Sequence, residues 1–185
     1  MSKVTVISGS PSASSRLNGV LQAVQTHLNA ASLDIATIDV RNLPPEDLIY
    51  TNFESPAIVT ANQSVAEADA VIVATPIYKA SYTGVIKTFL DLIPQKGLEG
   101  KVIFPVAIGG TIAHLLALEY ALKPVLAALG ARTQLTGVFA LDSQVKRNED
   151  GSFELAEELE QRLAAAAREF IREIELRLAS RNAAL

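Results

Sequence analysis

The chain has 185 residues, 49% of them hydrophobic and 19% charged, with a formal net charge of −4. That length buries a sizeable core and suits one domain over residues 1–185. The acidic balance argues against a nucleic-acid binder, which needs a basic face for phosphates. The absence of cysteine excludes disulfides, thiolate metal sites and thiol catalysis.

The opening MSKVTVISGSPS is too short and too soon interrupted for a secretory leader. Apolar runs fall short of the about 20 residues of a membrane span, so a soluble, cytoplasmic protein is expected. The first strand lies in KVTVISGS, and Arg16–Ala30 follows with helical periodicity in Leu, Val and Ala. DIATIDV (34–40) reads as the second strand, and the long segment RNLPPEDLIYTNFESPA (41–57) as a functional or interfacial loop. AVIVATP (70–76) is an unbroken apolar run, the mark of a strand covered on both faces, and a helix is expected over Tyr82–Leu92. KVIFPVAIGG (101–110) repeats the pattern, and His114–Leu129 is helical with Pro124 at a kink or boundary. TQLTGVFAL (133–141) is the fifth strand. The chain closes on a predicted amphipathic helix over about 153–178, whose Glu158/Arg162 and Glu173/Arg177 have the i,i+4 spacing of pairs on an exposed face.

Five strands alternating with helices predict right-handed crossovers and an α/β fold. The expected architecture is three-layer α/β/α with a parallel sheet in the flavodoxin-like order 2-1-3-4-5. In such sheets ligands bind beyond the carboxyl ends of the strands, where three polar loops fall. SGSPSASSR (8–16) precedes a helix N-terminus, where Ser10, Ser15 and Arg16 can donate to a phosphate. It can equally be a serine-rich cap, and it matches neither G-x-x-x-x-G-K-[ST] nor G-x-G-x-x-G. TPIYKASYTG (75–84) offers backbone amides and Tyr78 to a planar aromatic ligand, or else Tyr78 and Tyr82 serve packing or dimer contacts. The Gly-Gly-Thr of AIGGTIAH (107–114) permits close backbone approach, or is only a turn into a helix. Together the loops suit a flavin mononucleotide.

At this point the chain resembles a known family. GSPSASSR, PEDLIY (45–50), ATPIYKASYTGVIKTFLDLIP (74–94), GGTIAHLLALEYALKPVL (109–126) and GVFALDSQV (137–145) resemble the NAD(P)H-dependent FMN reductases of flavodoxin-like fold. HLLALEYALKPVL points within them to the branch serving two-component alkanesulfonate monooxygenases. The resemblance implies hydride transfer from NADPH, or NADH, to FMN, with reduced flavin passed to a partner monooxygenase that desulfonates a sulfonate. It implies that Ser10, Ser15 and Arg16 hold the phosphate. Thr75, Pro76, Ile77, Tyr78 and Lys79 then line the ring, with Gly109, Gly110 and Thr111 completing that side. Many relatives carry arginine directly after GSP. Here Ser12 stands at that position among the expected phosphate contacts, placing more weight on Arg16. The resemblance further implies a homotetramer, a dimer of dimers, with Tyr120 in a π-turn at the interface. On the residues alone Tyr120 is a packing aromatic, His114 a helix-start or packing residue or else a proton donor, and Asp142 and Ser143 either approach the ring edge or form a simple turn.

No catalytic acid–base pair is expected, because the cofactor performs the hydride chemistry. Three rivals stand beside the reductase: a flavodoxin-type electron carrier, a flavin-bound quinone, azo or chromate reductase of the same fold, and a non-catalytic interaction module. The mean hydropathy of +0.27 points to apolar surface buried by self-association.

Overall fold

The structure, a computed structural model, describes residues 2–183. Its main sheet is built from β1 (Lys3–Ser8), β2 (Asp34–Asp39), β3 (Ala70–Tyr78), β5 (Val102–Gly109), and the short segments β6 (Thr133–Gln134) and β7 (Val138–Leu141). A two-residue strand, β4 (Ser81–Tyr82), folds back antiparallel on the end of β3. The order is β2-β1-β3-β5, with β6 and β7 successively beside β5, and all of these pairings are parallel. Counting β6 and β7 as two halves of one strand, this is the expected 2-1-3-4-5 sheet.

The helices are α1 (Leu17–Ala30), α2 (Pro45–Ile49), α3 (Pro56–Glu67), α4 (Gly84–Leu90), α5 (Lys123–Ala128) and α6 (Glu157–Ala183). Strand periodicity sorts them into two layers. Val71, Val73, Ile103 and Ala107 point into a core completed by α3, α4 and α5 through Ile58, Phe89 and Leu126. Their neighbours Ile72, Ala74, Phe104 and Val106 point the other way, onto α1 and α6 through Val20, Leu28, Leu163 and Phe170. The Phe104 and Phe170 rings meet at 5.5 Å, tilted by 45°.

Four sequence expectations are corrected. The last helix does not begin at Phe153: Phe153–Leu155 is a strand, β9, paired antiparallel with β8 (Val145–Arg147), and α6 starts at Glu157. The expected i,i+4 pairs on α6 do not form, because the sheet edge offers better partners. Arg162 donates to the Phe139 carbonyl (2.7 Å) and Arg177 to that of Gly100 (2.9 Å). The segment 114–129 is not one helix but a 3₁₀ turn at Ile112–His114, a π-helix at Leu118–Leu122, and α5, with Pro124 inside its first turn. The segment 41–57 is shorter as a loop than expected, since it holds α2 and the start of α3.

The broken fifth strand has a local cause. Ile103 accepts from the Leu135 amide (2.9 Å). Residues two apart in a strand face the same neighbour, so Pro105, which has no N–H, also faces the fifth strand. There the ladder is interrupted. The register advances by one residue between Ile103↔Gln134 and Val106↔Val138, which is a bulge. Gly137 sits in it at φ +88°, and a Cβ on it would lie 2.5 Å from the Pro105 carbonyl oxygen.

Gly137→Ala is therefore expected to cost about 3 kcal/mol, roughly 6–12 °C in Tm, from left-handed strain plus the backbone clash. Gly151→Ala has a similar φ of +85° but nothing within 4 Å of the added Cβ; it should cost only about 1 kcal/mol. Equal losses in thermal melts would remove the clash from the explanation.

Candidate functional site

The carboxyl ends of β1, β3, β5 and β7 open into a cleft of about 350 Å³, lined by Ser12, Ser14, Ser15, Arg16, Pro76, Ile77, Tyr78, Ile108, Gly109, Asp142 and Arg147. This volume suits a small-molecule site. Of the expected residues, Ser12, Ser15, Arg16, Pro76, Ile77, Tyr78 and Gly109 come together here. Ser10, Thr75, Lys79, Gly110 and Thr111 lie around the cleft rather than on its wall.

The first wall is the loop between β1 and α1, held by its own serines. The Ser10 hydroxyl, buried beneath the cleft, contacts both the Ser12 carbonyl (3.2 Å) and the Ser12 amide (3.3 Å). Ser14 donates its amide to the Ser12 hydroxyl, and the Ser15 hydroxyl accepts from the Leu17 amide in a local turn just ahead of α1. Arg16 donates through Nε to the carbonyl of Val145 in β8 (2.9 Å). The rest of its guanidinium stays at the exposed rim.

The floor is a buried threonine pair. Thr83 donates to the Gly9 carbonyl (2.6 Å) and accepts from the Ile86 amide (3.2 Å), capping α4. The Thr83 amide donates in turn to the Thr75 hydroxyl (3.1 Å), and that hydroxyl donates to the Pro76 carbonyl (2.8 Å). Two side chains thus tie the ends of β1 and β3 to the start of α4. Thr75 serves this stitch, beneath the cleft wall.

The opposite wall is the tip of β3. Instead of the loop expected at TPIYKASYTG, residues 78–81 make a two-residue hairpin, with Ile77↔Tyr82 and Tyr78↔Ser81 paired. Lys79 and Ala80 stand at φ +50° and +66°. A tight hairpin requires such angles but normally recruits Asn or Gly for them. The two strained residues hold Tyr78 half exposed at the cleft mouth. Gly109 faces this wall, where a Cβ would lie 3.0 Å from the Phe139 ring and 3.5 Å from Ile77 Cβ. Gly110 has room for a side chain beside the Asp142 carboxylate. Thr111 accepts from the Ala113 amide and caps the turn carrying His114.

Sequence reasoning missed Ser14, Ile108 and Arg147. Arg147 carried no signal, since its hairpin partner Phe153 reads as the start of a helix. Tyr120 lies inside the π-helix and is 78% exposed, near the exposed Ile112, Leu115 and Leu116. It is therefore not a packing residue of this chain. Among the described residues no three His, Asp or Glu side chains stand close enough to hold a metal ion. No described helix is long and apolar enough to cross a membrane.

A larger cleft, about 640 Å³, lies at the opposite sheet edge between α3 and α6. Its cations are committed to the fold. Lys101 donates to the carbonyls of Ala66 (2.9 Å) and Ala68 (2.6 Å), Arg177 to Gly100, and Arg181 stands 3.7 Å from Asp69. Burial, helped by the charge of Arg181, pushes the Lys101 ammonium below the usual lysine range. This cleft is a structural seam.

The cleft at the carboxyl edge has hydroxyls and arginines at one end and a proline–tyrosine–glycine wall at the other. That donor set fits a phosphorylated flavin. Comparison with known proteins agrees. The family described as NADPH-dependent FMN reductase matches residues 2–146. An FMN reductase (NADPH) of Escherichia coli strain K12 is 50% identical over 143 residues, covering 77% of this chain and 75% of its own. One from Pseudomonas putida is 47% identical over 161 residues, covering 86% and 82%. The apo structure of an NADH:FMN oxidoreductase superposes with a TM-score of 0.83 at 35% identity, covering 97% of this chain and 90% of that one. With the fold, the cleft and these likenesses in agreement, the chain belongs to the NADPH-dependent FMN reductase family of oxidoreductases.

Proposed function

We propose that the chain, acting as one flavin-binding domain, is a two-component flavin reductase. It passes hydride from NADPH to FMN, and the reduced flavin leaves for a partner monooxygenase that desulfonates a sulfonate in the cytoplasm. The observation that carries this reading is the cleft itself, which sets Arg16 and the serine loop against Pro76–Tyr78 and Gly109. In this reading Arg16, Ser12 and Ser15 hold the phosphate, with Ser10 supporting their loop. Pro76, Ile77 and Tyr78 flank the ring, with Lys79 at its rim, and Gly109, Gly110 and Thr111 close the far side. When bound, FMN supplies the hydride-accepting ring. The chain's own contribution is to bind, to orient and to exclude water at the mouth through Tyr78. The NADPH preference rests on the names of the two relatives above.

The sulfonate branch is supported by HLLALEYALKPVL together with the π-helix that this stretch forms. The exposed apolar residues around Tyr120 support self-association into a tetramer. Tyr78 is the one aromatic among the cleft-lining residues. That favours reversible flavin binding over the aromatic sandwich of an electron carrier.

The deciding experiment is to purify the protein, record its flavin absorbance and follow NADPH oxidation against added FMN. The expected result is a nearly colourless protein whose turnover saturates with free FMN. A yellow protein that turns over only with a quinone or an azo dye would transfer the proposal to the flavin-bound reductases.

Thr83→Val tests the floor. It leaves the Ile86 amide and Gly9 carbonyl without their partner, at an expected cost of about 2 kcal/mol in urea denaturation. FMN affinity, read by quenching of flavin fluorescence, should fall several-fold as the serine loop and the tip of β3 come apart. Unchanged affinity at reduced stability would confine the stitch to a structural role.

A further inference from the structure

We propose that Arg147 is a second phosphate-binding cation of the cleft, charged partner to the phosphate monoester of FMN. This deepens the functional reading above and rests on it. Arg147 lines the same cleft as Ser12, Ser14, Ser15 and Arg16, one residue beyond the stretch matched by the family.

The β8–β9 hairpin presents Arg147 in a fixed place. Val145 is buried, Lys146 pairs with Glu154 (3.1 Å), and Arg147, two residues on from Val145, returns to the inner face of the ribbon. Its cross-strand partner Phe153 packs into α1 at Gly19, where a Cβ would lie 2.7 Å from the Phe153 side chain. Arg16 then ties the hairpin to the start of α1 through the Val145 carbonyl. Two arginines therefore flank the serine loop on elements locked to one another.

Their commitments differ. Arg16 spends its Nε on Val145, whereas among the described residues Arg147 makes no ion pair and no side-chain hydrogen bond. Asp142, the one carboxylate on the cleft wall, lies beyond ion-pair distance of both. A phosphate monoester carries close to two negative charges at neutral pH and accepts several hydrogen bonds. One guanidinium with an engaged Nε neutralises half of it, and a second, uncommitted one complements it.

Two ligands of this enzyme class bring a phosphate monoester, FMN at its 5′ position and NADPH at its 2′ position. Sharing a wall with the serine loop assigns Arg147 to FMN. The test is titration of the flavin-free protein with FMN and with riboflavin, read by flavin fluorescence, alongside the preference for NADPH over NADH. Wild type should bind FMN more tightly than riboflavin. Arg147→Gln should lose about 10-fold in FMN affinity with riboflavin affinity and the NADPH/NADH ratio unchanged. Lys146→Gln removes the same charge from the opposite face of the hairpin and should change neither.

Three results overturn the assignment: FMN affinity unmoved in Arg147→Gln, an equal loss in Lys146→Gln, or a collapse of the NADPH/NADH ratio with FMN affinity intact. The last would give Arg147 to the 2′-phosphate. A wild type that binds neither flavin would instead sink the functional reading. Equal affinity for FMN and riboflavin in wild type would overturn phosphate recognition by either arginine.

Discussion

The site depends first on one buried hydroxyl pair. Loops after parallel strands have no ladder to hold them once the sheet ends, so something else must fix their spacing. Thr83 does this by donating to Gly9 while capping α4, and Thr75 does it by accepting the Thr83 amide. Each of the two hydroxyls both donates and accepts, Thr83 to Gly9 and from Ile86, Thr75 to Pro76 and from Thr83. A buried network of this kind is rigid when complete and costly when any member is lost. The serine loop and the β3 tip inherit their separation from it, and the cleft is the gap left between them.

Around that floor, the fold uses local irregularities as positioning devices. The bulge opposite Pro105 absorbs a missing donor and one extra residue, restarting the fifth strand as β7 so that it ends level with β5 at Leu141. The turn at Lys79–Ala80 accepts left-handed backbone without glycine and aims Tyr78 at the mouth. The hairpin of β8 and β9 wedges Phe153 against Gly19, closing the side of the cleft nearest α1. The left-handed turn at Lys79–Ala80 lies at the carboxyl edge beside the cleft, where strain shapes a site, while the similar backbone at Ser32 and Lys96 lies outside the cleft lining.

The sheet was legible in the sequence because buried parallel strands leave unbroken apolar runs, and AVIVATP and KVIFPVAIGG could hardly be anything else. The three loops were legible from strand ends followed by glycine, serine and proline. What escaped was set by contacts distant in sequence. FEL reads as helix by periodicity, yet it pairs with VKR because Val145 is buried against α1 and α6. Arg162 and Arg177 have the spacing of helix-surface pairs but find carbonyls across the sheet edge. Lys-Ala gives no turn signal, and only the pairing of Ile77 with Tyr82 imposes the hairpin. Tyr120 needed the family resemblance, since spacing alone cannot separate a π-turn from an ordinary helix.

The same features bear on how tightly a flavin would be held. The Ser10 hydroxyl donates within its own loop and Ser12 and Ser14 share one hydroxyl bond, whereas Ser15 only accepts and keeps its O–H for a phosphate, so few donors are added and the net gain from each is small. The arginine heads are exposed, where screening limits the value of each charge. With one half-exposed tyrosine on the wall, the ring gains less contact than two flanking aromatics would supply. A resident cofactor would call for the opposite design, with buried charges and enclosing aromatics. Under the proposed function, in which the flavin leaves once reduced, modest contacts on a rigid floor serve both requirements: the threonine stitch keeps the geometry constant while the rim lets the ligand go.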